Sequence, residues 1–256
     1  MRVLTYNIHT WENRDGHMNL EQVAQVIADS GASVVSLNEV LHPVYTRLGE
    51  RRPLEELAEM LGMHWAFGDS DRLVQRPSWW GPVGNAVLSR FPIVGFNNQY
   101  LPRLPGTQGR NLLVADLEMG PKRRFTVYST HLDHAFEGTR LWQMRGVAER
   151  LRSNGHAPHV LMGDFNTHSP SKPDGHPLTP PVVRLLRGLG YVDAFAQAGR
   201  GSPVTFNIPL SIFRIDYIFV PQSLSPRLSV CYTLRTAETA VASDHLPLMA
   251  EFDWRP

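Results

Sequence analysis

The chain has 256 residues, 42% of them hydrophobic, which is enough to bury a large core. Its 25 basic and 24 acidic residues give a formal net charge of +1, so no overall field attracts a polyanion. This balance excludes a strongly basic nucleic-acid-binding protein, although nucleic acid stays open as a disfavoured partner. We expect residues 1–256 to form a single domain.

The single cysteine, Cys231, cannot form an internal disulfide bond. The chain opens with Met1-Arg2-Val3-Leu4 rather than with a charged segment and a long apolar stretch, so we expect a cytoplasmic protein. No apolar run approaches the roughly 20 residues of a membrane-spanning helix, and we therefore expect no transmembrane segment. The composition leaves the oligomeric state open.

The first forty residues predict a βαβ unit. Residues 2–8 are rich in β-formers and predict a strand that runs into Asn7. A helical pattern follows at 20–31, and residues 32–37 predict a buried strand after which Glu39 stands. Polar side chains beyond the carboxyl ends of neighbouring strands are the usual place for a site in α/β proteins, but Glu39 in isolation also fits a solvated loop.

The next segments are a short helix and a long loop. Residues 54–61 predict the helix, and residues 68–84 predict an irregular stretch. Loops longer than about 12 residues are usually functional or mobile. Adjacent Trp79 and Trp80 in this loop are weak candidates for substrate contact, and covering the core explains them equally well.

Four strands are predicted in the middle of the chain. Residues 85–89 and 91–94 predict two strands paired around the intervening turn, and 111–117 and 124–130 predict two more. The last of these runs into His131. A titratable side chain again follows a strand.

A helix is predicted at 138–153, with Arg140 near its start, where the side chain faces either solvent or the site. A proline-rich loop at 169–181 and a helix at 182–189 follow later. We interpret this loop as part of the domain rather than as a linker, because strong patterning resumes after it.

The most informative stretch is Val160-Leu161-Met162-Gly163-Asp164-Phe165-Asn166. An apolar strand there delivers a carboxylate and a carboxamide two positions apart, which extended geometry places on the same side. An ordinary turn after a strand explains these residues as well. Residues 3–7 and 160–164 look like counterparts in two halves of the chain.

Asp216 interrupts an otherwise apolar strand predicted at 214–220. A buried charge is costly unless it is paired, so Asp216 predicts a partner. We expect that partner in the segment with Asp244 and His245, before a last strand at 248–252. A turn or capping role is the alternative for both residues.

Polar and titratable side chains thus gather at strand ends. They are Asn7, Glu39, His131, Asp164, Asn166, Asp216, Asp244 and His245. Oxygen ligands with a minority of histidines suit a hard cation such as Mg²⁺, with Mn²⁺ as a substitute, whose shell is completed by water and substrate phosphate oxygens. Zinc requires denser His or Cys ligation, and the chain has no Gly-rich phosphate loop of a kinase or dehydrogenase.

The order of these motifs resembles the endonuclease/exonuclease/phosphatase superfamily of metal-dependent phosphoesterases over nearly the whole chain. The segments that carry the resemblance are Thr5-Tyr6-Asn7-Ile8-His9, Leu37-Asn38-Glu39-Val40, Asn85-Ala86-Val87-Leu88-Ser89-Arg90-Phe91-Pro92-Ile93, Ser129-Thr130-His131-Leu132, Gly163-Asp164-Phe165-Asn166, Arg214-Ile215-Asp216-Tyr217-Ile218-Phe219 and Ser243-Asp244-His245-Leu246-Pro247. Each is short, but seven in one order make chance a poor explanation.

The resemblance implies an α/β fold, a four-layered α/β sandwich with two central mixed β-sheets flanked by helices, and a site at one end of the sheets. It implies that Glu39 is the principal metal ligand and that Asn7 and Asp244 lie close to the metal or its waters. Asn38 stands where many relatives carry Gln.

The resemblance also implies roles in hydrolysis. Asp164 would orient and deprotonate the attacking water, and Asn166 would hold a phosphoryl oxygen. His245, paired with Asp216, would contact the phosphate, and His131 would stabilise the transition state or assist the leaving group.

We therefore expect a metal-dependent hydrolase whose partner is a small-molecule or lipid-derived phosphoester. A Mg²⁺-dependent endonuclease or exonuclease is the alternative within the enzyme class, and an inactive binding module on the same fold is the alternative outside it. His9 and the Asp133-His134 pair differ from what DNA-repair members carry, which lowers the expectation of an abasic-site endonuclease.

Overall fold

A computed structural model describes residues 1–46, 49–70, 81–154, 157–169, 179–207 and 213–254. The strands within these residues are β1 (Arg2–Asn7), β2 (Val34–Leu41), β3 (Val44–Thr46), β4 (Gly49–Arg51), β5 (His64–Asp69), β6 (Val83–Ser89), β7 (Ile93–Tyr100), β8 (Asn111–Gly120), β9 (Arg123–His131), β10 (His159–Ser169), β11 (Tyr191–Asp193), β12 (Gly199–Arg200), β13 (Arg214–Pro221), β14 (Leu228–Thr233) and β15 (Leu248–Phe252). The α-helices are α1 (Leu20–Ser30), α2 (Pro53–Leu61), α3 (Glu137–Arg152), α4 (Pro181–Gly188), α5 (Ala194–Ala198) and α6 (Ala237–Ala242).

Most of these strands form two large mixed sheets. The first sheet has the order β12-β14-β15-β1-β2-β6-β5, and the second has the order β11-β13-β10-β9-β8-β7. In the first, β1 pairs in parallel with β2 and antiparallel with β15. In the second, β10 has the same surroundings, parallel to β9 and antiparallel to β13. The similar segments 3–7 and 160–164 thus occupy corresponding strands.

The two sheets pack face to face through small and branched side chains. Val3, Val34 and Val87 of the first sheet share one buried cluster with Val127 and Val160 of the second. Each fully buried side chain of this kind stabilises the fold by roughly 1.5–3 kcal/mol. The packed faces hold the two sheets, and the strand ends they carry, in one rigid unit.

Helices cover the outer face of each sheet. Residues of α1 and α2 share a buried cluster with β1 and β2, while α3 and α4 pack on the second sheet. These layers, helix on sheet on sheet on helix, confirm the expected four-layered sandwich. Among the described residues, no helix has the length and apolarity needed to cross a membrane.

Two helices on the first sheet end at a glycine. Gly31, with φ 62°, directly follows α1, and Gly62, with φ 61°, directly follows α2. Both residues adopt the left-handed conformation that favours glycine, which is why the helical pattern stops there.

The predicted pairing of residues 85–89 with 91–94 is wrong. β6 pairs with β2 and β5, whereas β7 pairs with β8 in the other sheet. The short turn carries the chain between sheets rather than around a hairpin, and strand patterning alone does not identify a strand's partner. The predicted loop at 68–84 also overlaps the end of β5, and the second strand extends to Leu41, so Glu39 lies within it.

Candidate active site

The register of the strands brings the predicted side chains to one edge of the sandwich. Asp164 lies directly opposite His131 of β9 on one side and Asp216 of β13 on the other. In the first sheet, Asn7 ends β1 opposite Asn38 of β2. Strand pairing fixes these positions within each sheet, and the packing of the two sheets brings Asn7 into contact with Asp164.

Two non-glycine residues of the site have left-handed backbone conformations. Glu39 has φ 54° where the pairing of β2 with β6 shifts register, and Asn166 has φ 49° where the pairing of β10 with β13 shifts. Such conformations cost about 1–3 kcal/mol each and occur where surrounding structure imposes them. β-Bulges next to active sites re-aim side chains, so both residues are turned away from the regular strand alternation.

Gly163 permits the close approach of β9 to β10. Its φ is 145°, and a Cβ atom there would lie 1.8 Å from the carbonyl oxygen of Thr130. A side chain at this position would push the strands apart. The glycine of the central motif therefore secures the position of the adjacent Asp164.

Carboxylate oxygens from both sheets meet at Asn7. Its Nδ2 lies 3.1 Å from Glu39 Oε1 and 3.1 Å from Asp164 Oδ2, and its Oδ1 accepts a hydrogen bond from the His9 backbone N–H at 3.1 Å. Asp164 is buried, whereas Glu39 is half-buried. Glu39 is therefore the more accessible of the two carboxylates.

Asp244 is linked to Asn7 through a serine. The Ser243 hydroxyl donates to the Asn7 backbone carbonyl at 2.8 Å and lies 3.4 Å from Asp244 Oδ1. Asp244 is half-buried, like Glu39.

The donor set fits a hard divalent cation. The carboxylates of Glu39 and Asp164 meet at the Asn7 amide, and Asp244 adds another carboxylate nearby. Mg²⁺ is commonly held by one or two carboxylates together with water and substrate oxygens. The half-exposed carboxylates leave room for such ligands.

Asp164, Asp216 and His245 form a second, buried group. Ligand atoms of these three residues lie within 4.8 Å of one another. His245 Nδ1 lies 2.9 Å from Asp216 Oδ2, and its Nε2 lies 3.7 Å from Asp164 Oδ2. Nδ1 is hydrogen-bonded to Asp216, and Nε2 faces the Asp164 carboxylate at ion-pair distance, so both carboxylates favour the protonated imidazole.

The charges in this group depend on one another. Burial alone would lower the pKa of His245, but Asp216 and then Asp164 outweigh it and raise the pKa to about 10. Burial raises the pKa of Asp164 to about 7, a shift that His245 opposes and Asp216 reinforces. His245 is therefore a cation near neutral pH, where Asp164 exchanges its proton.

His131, unlike His245, is held in the neutral state. Burial, followed by the nearby charges of Arg110, His245 and His134, keeps its pKa well below the usual range. Its Nδ1 lies 3.4 Å from Nη1 of Arg110, and its Nε2 lies 2.9 Å from Asn166 Nδ2 and 3.5 Å from Asp164 Oδ2. His131 is therefore neutral and directed towards Asp164 and Asn166.

Arg140 holds the loop after His131. Its guanidinium donates to Glu137 Oε2 at 2.8 Å and to the backbone carbonyls of Asp133 and His134 at 3.0 and 3.2 Å. The side chain is buried, so these bonds account for its position, and substrate contact stays a prediction. Trp79 and Trp80 lie outside the described residues.

Sequence reasoning missed Arg110. This buried arginine directly precedes β8 and lies beside His131, on the neighbouring strand of the second sheet. The available signal was a charged residue immediately before an apolar strand.

The sequence pattern of the family described as Endonuclease/Exonuclease/phosphatase matches residues 4–245, from β1 to His245. The chain belongs to this family. Members of the Endonuclease/Exonuclease/phosphatase family are hydrolases of phosphoesters and generally use divalent metals.

Among relatives of this family member, the uncharacterised protein YbhP of Escherichia coli K12 is 30% identical over 262 residues, covering 98% of this chain and 95% of YbhP. A solved family structure from Beutenbergia cavernae has a TM-score of 0.81 at 25% identity and covers 98% of this chain and 70% of its own.

Two more distant structures share the fold. The mannosyl-6-phosphatase Bt3783 of Bacteroides thetaiotaomicron has a TM-score of 0.76 at 20% identity, covering 99% of this chain and 100% of its own. The catalytic domain of human Nocturnin, solved with a bound sulfate anion, has a TM-score of 0.72 at 20% identity, covering 99% of this chain and 93% of its own.

Proposed function

We propose that this protein is a metal-dependent phosphoester hydrolase that acts on a small-molecule or lipid-derived phosphoester, with Asp164 activating the attacking water. The observation that carries the proposal is the position of the Asp164 carboxylate. It lies between the Asn7–Glu39 pair on one side and the His245–Asp216 pair on the other.

Glu39, Asn7 and Asp244 would hold the divalent metal, for which Mg²⁺ is our proposal and Mn²⁺ a substitute. When bound, the metal would supply positive charge for the phosphoryl oxygens and orient the substrate. Glu39 and Asp244 suit this role because they are half-buried and bring carboxylate oxygens to the open side of the site.

Asp164 is suited to act as a general base. A base is most effective when its pKa lies near the working pH, and burial raises the pKa of Asp164 to about 7. Its Oδ1 accepts the Asn166 backbone N–H at 2.8 Å, which fixes the carboxylate plane and leaves Oδ2 directed towards Asn7 and His245. In-line attack requires such a fixed base.

His245 and Asn166 would stabilise charge on the phosphoryl group. Asp216 keeps His245 protonated, so the imidazolium would donate to a phosphoryl oxygen. The half-buried Asn166 amide contacts His131 Nε2 and the Leu132 carbonyl, and it would exchange one of these contacts to donate from the other side. His245 is already oriented by Asp216, which lowers the reorganisation needed in the transition state.

His131 would stabilise the transition state or assist the leaving group. Both of its ring nitrogens lie beside groups that only donate, Nδ1 at 3.4 Å from Arg110 Nη1 and Nε2 at 2.9 Å from Asn166 Nδ2. The neutral ring would therefore act by positioning Asn166 beside the leaving oxygen.

The near-neutral charge favours a small substrate over a polyanion. A nuclease would need a continuous basic track for the nucleic-acid backbone. The formal net charge of +1 gives such a track no general support.

The test is hydrolysis of bis(p-nitrophenyl) phosphate and p-nitrophenyl phosphate with Mg²⁺, with Mn²⁺ or with chelator. We expect metal-dependent release of nitrophenol that Asp164→Asn abolishes, while Asp29→Asn on the exposed face of α1 leaves it unchanged. Circular dichroism of the variants verifies folding. The ratio of the two rates identifies the ester class.

Two results would contradict the proposal. Cleavage of plasmid DNA with no turnover of either small ester would replace it with the nuclease alternative. No cleavage of esters or DNA, together with no heat of Mg²⁺ binding in calorimetry, would favour the inactive binding module.

A further inference from the structure

Four asparagine side chains connect the site to the outer edge of the second sheet. They are Asn38 of β2, Asn85 of β6, Asn111 of β8 and Asn98 of β7, and we refer to them as the asparagine row. The first three are buried and Asn98 is half-buried.

The inner half of the row begins at Asp164. The Asp164 backbone N–H donates to Asn38 Oδ1 at 2.9 Å, and Asn38 Nδ2 donates to Asn85 Oδ1 at 2.7 Å. Asn85 Nδ2 then donates to Asn111 Oδ1 at 2.8 Å. The first and last of these bonds cross between the two sheets, so the row joins the sheets beside the site.

The outer half ends on a carboxylate. Asn111 Nδ2 donates to Asn98 Oδ1 at 2.7 Å, and Asn98 Nδ2 lies 3.2 Å from Asp69 Oδ1. Asp69 also accepts the Tyr100 hydroxyl at 2.9 Å. Every amide thus accepts on the side of the site and donates outwards, and the last one donates to an anion.

This uniform direction has an energetic consequence. Hydrogen bonds in a chain polarise one another and strengthen by roughly 10–30% per bond in a low-dielectric interior. The negative charge of Asp69 aligns the amide dipoles of the row. The hydrogen bond from the Asp164 N–H to Asn38 is therefore strengthened by groups at the far end of the row. A substitution at the outer end of the row would therefore weaken the hydrogen bond of the Asp164 N–H.

The orientation of each amide is fixed by a second bond. The other N–H of Asn38 donates to the carbonyl of Thr130 at 3.2 Å, and that of Asn111 donates to the carbonyl of Gly68 at 2.9 Å. A Cβ atom on Gly68 would lie 2.4 Å from Asn98 Oδ1, so the path needs glycine there.

We propose that the asparagine row positions Asp164 for hydrolysis, with its outer members acting through Asn38. Asn38 precedes Glu39 in the first sheet and holds the backbone of Asp164 in the second, so the row sets the distance between the carboxylate that would bind metal and the carboxylate that would activate water. The inference rests on the proposed function.

Another buried contact between the sheets serves as a control. The hydroxyls of Ser36 in β2 and Ser129 in β9 lie 2.6 Å apart, two residues before Asn38 along β2. Ser36→Ala removes an inter-sheet hydrogen bond outside the row. Asn97→Ala, at an exposed position on β7 beside Asn98, controls for substitution at the edge strand.

The experiment compares kcat and KM for the nitrophenyl ester that the wild type hydrolyses. We expect Asn85→Ala and Asn98→Ala to lower kcat by about tenfold or more with KM little changed, because small displacements of a positioned group are costly in rate. Ser36→Ala and Asn97→Ala should keep the wild-type kcat. The Asn85→Ala/Asn98→Ala double variant should be no slower than Asn85→Ala, since the row is already cut.

A second measurement does not depend on turnover. In ¹⁵N-labelled protein, Asn98→Ala should shift the backbone amide signal of Asp164 and speed its hydrogen exchange, whereas Asn97→Ala should leave both unchanged. An unaltered Asp164 signal with a wild-type kcat in Asn98→Ala would overturn the positioning role. An inactive wild type would overturn the proposed function alone, because the amide signal would still decide whether the row acts on Asp164.

Discussion

The Oδ2 atom of Asp216 lies 2.9 Å from Nδ1 of His245, in a buried contact between β13 and the segment before β15. A carboxylate inside an apolar strand is costly unless a partner offsets its desolvation, and the imidazole is that partner. The pair keeps His245 charged and reinforces the raised pKa of Asp164.

The pair predicts a bell-shaped pH dependence of kcat. The rate should rise as Asp164, with a pKa of about 7, loses its proton, and fall as His245, with a pKa of about 10, loses its own. Asp216→Asn removes a charge that raises both pKa values, so both limbs should move to lower pH and the maximal rate should fall about tenfold or more. A pH–rate profile unchanged in Asp216→Asn would contradict the assigned role.

Glu39→Gln should weaken metal binding while the protein stays folded. The substitution keeps the shape of the side chain but removes the negative charge at the open side of the site. We expect the Mg²⁺ dissociation constant from calorimetry to rise about tenfold or more. Glu21→Gln on the exposed face of α1 is the matched control, and equal affinities of the two variants would exclude Glu39 as a principal ligand.

Gly163→Ala should destabilise the protein severely. The new Cβ would clash with the Thr130 carbonyl, and the backbone φ of 145° disfavours any side chain, so we expect a loss of about 3 kcal/mol or more in urea unfolding. Gly95→Ala in β7 meets no atom within 4 Å and should change stability by about 1 kcal/mol or less. Similar values for the two variants would contradict the close-approach argument.

His159 should make stability depend on pH. Burial lowers its pKa, and its ring is held between the Ala157 carbonyl and the Tyr191 hydroxyl, each 2.7 Å away. The folded protein therefore binds a proton less readily than the unfolded chain, and the free energy of unfolding falls as pH drops below about 6.5.

His159→Gln should lower the free energy of unfolding by about 1 kcal/mol at pH 7.5, where the hydrogen bonds of the neutral ring are fully present. At pH 5.5 the loss should be smaller. Urea unfolding at both values measures the difference. For His64→Gln, at an exposed position on β5, the difference in unfolding free energy from the wild type should be the same at both pH values. A deficit for His159→Gln that grows towards acid would show that the ring is not held neutral.

The amino-acid sequence alone identified several of the strands and the functional residues near their ends. The segments 111–117, 124–130, 214–220 and 248–252 all lie within observed strands, because short runs of branched and aromatic residues are compatible with few other structures. The residue types at the strand ends, carboxylates with amides and histidines, indicated the class of chemistry before any geometry was known.

The pairing of the strands and the positions of the side chains in the site depend on the tertiary structure. Alternation along a strand does not identify its neighbour, so the separation of β6 and β7 into different sheets was not predictable. The register shifts at Glu39 and Asn166, the arginine beside His131 and the asparagine row depend on contacts between residues far apart in the chain. Local sequence carries little information on such contacts, because packing of the two sheets brings these side chains together.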